Sequence, residues 1–529
     1  MKRITALLLF LLVVSLSSVF AATLDELHKP LLDKDQWRAD AHTHFAFYDI
    51  RARDDPLTSA ADYEAYDYFY YQLIPSLYYG ITDKLQLKLT TDFTTPYNYD
   101  SKQYLEGNGP LTSSKSNTEY DNSFTEAITW RPQESWEVSF SSSQGFSKTR
   151  DYDYDYTSIE FERTDSKSDA YSFMTGASWL SAPRAGNKTA ANRPDLDGLL
   201  TSLLDEGQIK ISLPVGYHLY DGKVTVDADQ PAPDVEWQTY NTKMHTFYLR
   251  PAFYYGIKDN LQADLNFYWY PATVNRNKMV GYTYSFDGVD VFEAFSTTKS
   301  RQLNHFTPQL TFTHRPDSQL QWYVQGYYDY DTARSNYNYQ SYTNGVLGFD
   351  SSSENKLKDS ILSGIVGFTW ITLPEKAGEK LSANLDGLKN PLLEKHQVKL
   401  DFSYTATRYR TDSATGASTR DEYHRLYTKA TYGLLDILQT YFYTTFTINH
   451  DYMLTSSPTS IYKYIYPLRG DFGIGMTYRP RQDFELYLDA LISPWNDLKT
   501  EHSDGTGLDN IRYSEQAYTT FSIGATILW

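Results

Sequence analysis

Residues 78–86 read YYGITDKLQ, and the same pattern returns as YYGIKDNLQ at 254–262 and TYGLLDILQ at 431–439. Each copy sets a glycine (Gly80, Gly256, Gly433) three residues before an aspartate (Asp83, Asp259, Asp436), with alternating apolar and polar residues on both sides. A permissive backbone and a short polar side chain at that distance are turn chemistry, so each copy predicts a tight β-hairpin.

The surroundings repeat as well. TLDELHKPLLDKDQ (23–36), DLDGLLTSLLDEGQ (195–208) and NLDGLKNPLLEKHQ (384–397) come before it, each followed by an alternating strand. After it come ITWRPQESWEV (128–138), FTHRPDSQLQW (312–322) and MTYRPRQDFEL (476–486), which read as second hairpins with proline at the turn. TGASW (175–179), VGFTW (366–370) and IGATI (523–527) close the three units. Repeats of this length fix architecture before secondary structure does. The units are expected at 23–183, 195–374 and 384–529, with periplasmic linkers at 184–207 and 375–396.

One strand after the leucine-rich segment, two around the YG turn, two around the RP turn and one at the end make six per unit. The fold class expected is all-β: a transmembrane antiparallel barrel of about eighteen strands (16–20). Leu24, Leu27 and Leu31, like Leu196, Leu199 and Leu203, have the spacing of a short amphipathic helix, so the linkers are expected to be helical. Longer polar stretches at 94–122, 148–169 and 271–304 are expected to be external loops. Short turns on one side and long connections on the other are the asymmetry of an outer-membrane barrel.

The bilayer accounts for the alternation. Every backbone polar group in hydrocarbon must be paired internally, so a spanning sheet has to close on itself. In FELYLDA, Phe484, Leu486 and Leu488 oppose Glu485, Tyr487 and Asp489, one face for lipid and one for water. The 48 tyrosines suit the two interfaces: Tyr79, Tyr255 and Tyr432 precede the first turn, and Trp130, His314 and Tyr478 precede RP.

Composition agrees. Lys2 and Arg3, an apolar run and small residues Val19 and Ala21 mark residues 1–21 as a secretory signal peptide. Its removal takes the net charge from -18 to -20, against a nucleic-acid partner and towards cation preference. There is no cysteine, so neither disulfides nor thioether-linked haem is expected, and no cofactor motif is present. No GxSxG, P-loop, HExxH or CxxC occurs, so no catalytic residues are assigned and the protein is not expected to be an enzyme.

Residues 37–48, WRADAHTHFAFY, put Asp40, His42 and His44 on one face of a strand. The stretch resembles the metal-binding strand end of an amidohydrolase. Aligned on Gln36, Gln208 and Gln397, those three positions are Ser212, Pro214 and Gly216 in the second unit and Asp401, Ser403 and Thr405 in the third. The resemblance is thus confined to one strand, and no metal site is assigned; Asp40, His42 and His44 are expected to face the lumen.

Other pore-lining candidates recur at equivalent positions: Arg38, Lys210 and Lys399; Gln86, Gln262 and Gln439; Glu137, Gln321 and Glu485. Two readings stand side by side, a ring of fixed charge that sets selectivity and a set of paired residues that holds strands in register.

The chain ends AYTTFSIGATILW, with Phe521, Ile523, Ala525, Ile527 and Trp529 on one face. This resembles the C-terminal signal by which the barrel-assembly machinery recognises Gram-negative outer-membrane barrels. With the signal peptide and the hairpins, the whole chain resembles the larger porins; no motif matches one subfamily. The resemblance implies a cell outer membrane location, contact with its lipid and lipopolysaccharide, and passive diffusion of small hydrophilic solutes, cation-preferring or sugar-conducting. A homo-oligomer or a periplasmic partner stays open. The competing reading is a structural or interaction barrel whose lumen is filled by loops or by a partner protein, as a scaffold, sheath or surface anchor.

Overall fold

The computed structural model describes residues 31–529 except 55–61, 106–110, 134, 156–159, 183–202, 230–234, 285–290, 344–345, 374–391, 414–417, 458–459, 497 and 504–507. The signal peptide expected at 1–21 lies outside the described residues, as do Leu24, Leu27, Leu196, Leu199 and most of both linkers.

Strands β1 (Trp37–Asp54), β2 (Asp62–Thr82), β3 (Leu85–Leu105), β4 (Leu111–Gln133), β5 (Trp136–Asp155) and β6 (Glu160–Leu180) form consecutive hairpins. They continue into β7 (Ile209–Asp229), β8 (Val235–Leu249), β9 (Ala252–Lys258), β10 (Leu261–Tyr284), β11 (Val291–His314), β12 (Leu320–Thr343) and β13 (Val346–Ile371). The last stretch is β14 (Val398–Ser413), β15 (Ser418–Leu435), β16 (Leu438–Ser457), β17 (Ser460–Arg481), β18 (Phe484–Asn496), β19 (Leu498–Ser503) and β20 (Leu508–Leu528). All pairings are antiparallel, and β1 pairs β20 from Arg38↔Leu528 to Asp54↔Arg512, so the sheet is a closed barrel with no edge. At the seam Trp37 N–H donates to the Trp529 carbonyl (2.7 Å) and Trp529 N–H to the Trp37 carbonyl (2.9 Å), with the two indoles stacked.

The strands number twenty, not eighteen. The difference comes from two interruptions. β8 and β9 both pair with β7 and β10, and are separated at Arg250-Pro251, where proline has no N–H to give the ladder. β18 and β19 both pair with β17 and β20, beyond a register shift beside Pro494.

The helical expectation for the linkers is also corrected. Among the described residues there is no helix, and 31–36, 203–208 and 392–397 are turns. Asp35, Gly207 and His396 have φ of +64°, +77° and +66°, which an α-helix cannot contain. The expected loops at 94–122, 148–169 and 271–304 are, in their described parts, paired strand: β10 and β11, for instance, remain hydrogen-bonded up to Tyr284↔Val291. Nearly all strands far exceed the 9–11 residues a tilted strand needs to cross a bilayer, β13 reaching 26, so the hairpins carry the wall well past the membrane.

Side chains alternate as a membrane barrel requires. Large apolar groups such as Phe47, Phe140, Phe173, Leu213, Phe442 and Ile474 are exposed on the outer face. Buried groups in the strands are mostly polar, Ser363, Thr407 and Thr526 among them. This is a globular core turned inside out: the apolar side faces lipid and the polar side faces the lumen. With closure, this makes the protein an outer-membrane-type β-barrel. Strand backbones come together only where they are sheet neighbours, so no described strand runs through the lumen.

Candidate functional site: the entry corners and the lumen wall

Three fully buried leucines, Leu32, Leu204 and Leu393, each 1% exposed, sit where the chain enters the barrel. One hydrogen-bond set holds all three corners. The N–H groups of Leu32, Leu204 and Leu393 donate to Oε1 of Gln86, Gln262 and Gln439 (3.0, 2.8 and 3.0 Å). Two residues on, the N–H groups of Lys34, Glu206 and Lys395 donate to Asp83, Asp259 and Asp436 (each 2.9 Å). The left-handed residues Asp35, Gly207 and His396 donate to the carbonyls of Gly80, Gly256 and Gly433 (2.7, 2.7 and 2.8 Å). Those glycines donate back to the carbonyls of Gln36, Gln208 and Gln397 (2.9, 3.0 and 2.9 Å).

The glycine of the YG turn is required by this contact more than by the turn itself. A Cβ on Gly80, Gly256 or Gly433 would stand 1.9 Å from the carbonyl oxygen of Asp33, Asp205 or Glu394. None of the three has positive φ. The preceding tyrosines join in where a partner exists: Tyr79 donates to Asp35 (2.8 Å), and Tyr432 bonds His396 Nδ1 (2.7 Å). Tyr255, opposite side-chain-less Gly207, is left exposed.

Beside each corner, bonded through its N–H to the YG turn at Lys84, Asn260 or Ile437 (each 2.8 Å), lies an arginine that the sequence motif held but that was not among the candidates. Arg131 meets Glu137 (2.7 Å), Arg315 meets Gln321 (3.0 Å) and Arg479 meets Glu485 (2.8 Å from Nε), each across its RP hairpin. Arg315 is 1% and Arg479 3% exposed. Recurrence of RP at all three places was the signal; the turn reading of its proline absorbed it.

The geometry sorts the predicted pore residues. Gln86, Gln262 and Gln439 are engaged with the corners, and Glu137, Gln321 and Glu485 with arginine. Arg38 is clamped by Asp40 (2.9 Å) and lies over Tyr78 (5.0 Å). Lys399 stands 3.8 Å from Asp401, and Lys210 lies over the Tyr254 ring (5.5 Å). His42 bonds the Tyr487 hydroxyl and His44 the Ser522 hydroxyl (2.8 Å). Among the described residues no group of three or more His, Asp or Glu is arranged to hold a metal ion. Phe521, Ile523, Ile527 and Trp529 are exposed on the outer face beside β1, with Ala525 on the same face.

Beyond these, the lumen wall carries tyrosines laid over glycines on the next strand. Tyr443↔Gly473, Tyr441↔Gly475, Tyr487↔Gly524 and Tyr248↔Gly216 are direct cross-strand partners. A Cβ on those glycines would fall 1.9–2.3 Å from the tyrosine Cζ, so each ring occupies the space that a side chain would take. On β16 and β18 the rings surround a carboxylate: Tyr441 and Tyr443 donate to Asp489 (2.7 and 3.3 Å), and Lys429 lies 4.0 Å over the Tyr441 ring. On the run of strands just before these, His305, Asp331, Asp359 and Thr411 are opposed in turn across β11–β14.

No protein-family model matches the chain, and no curated protein does. Solved structures do. A FadL homologue of Pseudomonas aeruginosa is 9% identical, covers 93% of this chain and 90% of its own, and has a TM-score of 0.29. The P. putida toluene transporter TodX is 9% identical over 94% of this chain and 90% of its own, at 0.31. The ferripyoverdine receptor of the outer membrane of P. aeruginosa is 9% identical over 95% and 73%, at 0.38. Scores this low leave the outer-membrane assignment resting on the barrel's closed sheet and its apolar outer face.

Proposed function

We propose that the protein is a passive outer-membrane channel for small hydrophilic solutes. The observation that carries this reading is that no described strand lies inside a closed sheet of twenty strands. β8 with β9, and β18 with β19, each share one place in the circumference, so the wall is eighteen strands around, and barrels of 16–18 strands leave a water-filled interior. The wall supports neutral polyhydroxylated solutes such as sugars: the Tyr443 and Tyr487 rings suit their C–H surfaces, and Asp489 and Lys429 suit their hydroxyls. Among ions it favours cations, through the inward acids Asp331 and Asp359. Residues 1–21 direct export, and the chain is three related units, an organisation supported by the recurrence of one corner at 31–36, 203–208 and 392–397. No catalytic step belongs to this function.

Purified barrel in a planar bilayer should give stable ohmic steps, with a reversal potential on the cation side that moves towards zero in Asp331→Asn/Asp359→Asn. Proteoliposomes should swell in isotonic sugar. Electrical silence together with no swelling would overturn the proposal and favour a barrel whose lumen is occupied by a partner.

A further inference from the structure

The outer face carries a second pattern above its apolar zone. Lys243 on β8, Arg276 on β10 and Lys299 on β11 are directly opposed to one another across neighbouring strands. All three side chains are exposed, and they share the outer face with Phe247, four residues along β8 from Lys243. The pattern continues around the wall, where Arg334 is opposed to Lys356 and Arg410 to Arg420.

Directly opposed residues stand about 4.5–5.5 Å apart at Cβ, and like charges there cost stability. In a chain of net charge -18, such stacking is not a by-product of basic composition. Flanking acids offset part of it: Asp221 pairs with Lys243 (2.8 Å), and Glu354 with Arg334 (2.7 Å). Arg276 and Lys299 have no acidic partner among the described residues.

Height decides what meets them. Lys243 is opposed to Asp221, which follows Ile209 at the periplasmic end of β7 by twelve residues. At about 3.4 Å per residue and a tilt of about 40°, that is about 30 Å above the periplasmic edge, just beyond an apolar band about 25 Å tall. The cations therefore stand at the level of the outer-leaflet headgroups.

We propose that Lys243, Arg276 and Lys299 form a docking face for the phosphate groups of the outer-leaflet glycolipid. The headgroup phosphates supply the negative charge that Arg276 and Lys299 lack within the sheet, and acyl chains continue down the apolar wall below Phe247.

The test compares wild type with Arg276→Gln/Lys299→Gln in detergent, with and without added diphosphorylated lipid A. Stability is read by urea unfolding and binding by native mass spectrometry. Wild type should bind lipid A at least tenfold more tightly than the variant and be stabilised by it. Without lipid the variant should be as stable as wild type or more so, because a repulsion has been removed. Dephosphorylated lipid A should bind both proteins alike. A variant that binds and is stabilised as wild type is would overturn the proposal. So would one that loses stability in lipid-free detergent, since the cations would then be holding the sheet, and so would equal competition by inorganic phosphate at the same concentration.

Discussion

Gly256→Ala is the sharpest test of the corner. The added Cβ would lie 1.9 Å from the Asp205 carbonyl oxygen and 2.9 Å from that of Leu204, both backbone atoms that cannot rotate away. Segment 203–208 must then move by about 1 Å or more to restore van der Waals contact. That breaks or stretches the bonds from Gly207 N–H to Gly256, from Gly256 N–H to Gln208 and from Leu204 N–H to Gln262. At about 0.5–1.5 kcal/mol each, these are worth about 2–4 kcal/mol. Partial exposure of Leu204, now 1% exposed beside Leu180 and Tyr254, adds about 1–2 kcal/mol. The expected loss is on the order of 4 kcal/mol. Gly364→Ala is the control: its Cβ meets nothing within 4 Å, and relief of glycine's entropy should leave it neutral or better by about 0.5 kcal/mol. Urea unfolding of the detergent-folded barrel, followed through its ten tryptophans, reads both. Equal midpoints for the two variants would refute the argument that the repeated glycine exists to admit the corner.

Other outcomes follow from the same geometry. Arg479→Met should cost about 3–5 kcal/mol by stranding the Glu485 carboxylate, whereas Glu485→Gln should cost less than about 1 kcal/mol, because Arg315 already makes this contact with the neutral Gln321; a larger loss in Glu485→Gln, measured by the same unfolding, would contradict this. Gly524→Ala should drive the Tyr487 ring off the wall into the lumen and lower single-channel conductance, while Gly364→Ala leaves it unchanged. Trp529→Ala removes the stack on Trp37 beside the closing hydrogen bonds, and should reduce the folded, heat-modifiable fraction recovered from outer membranes.

Much of the site was written in local pattern. The turns at Gly80, Gly256 and Gly433, the outward set ending in Trp529 and the antiparallel barrel all follow from two-residue periodicity and from a solvent that forbids unpaired backbone. Equivalent positions in the three copies also marked Gln86, Gln262 and Gln439 as special, although not for what. Their amides reach back across more than forty residues to a backbone N–H, a partner that no spacing rule names. Likewise Asp83, Asp259 and Asp436 look like turn formers, and they do cap a chain, but a different segment from their own.

The sequence by itself determined the class of fold, the lipid face of strands such as β1, β18 and β20, and the places where turns recur, because alternation and turn chemistry act between near neighbours. Only the tertiary structure decided that the leucine-rich leads end in left-handed turns rather than helices, and that the polar stretches at 94–122, 148–169 and 271–304 largely prolong the wall. It also paired Arg38, Lys399 and the RP arginines within the wall and set Lys243, Arg276 and Lys299 side by side. The pairings depend on register between strands, and register is fixed by the whole closed sheet: a shift of one residue in a strand would turn that strand's side chains to the other face.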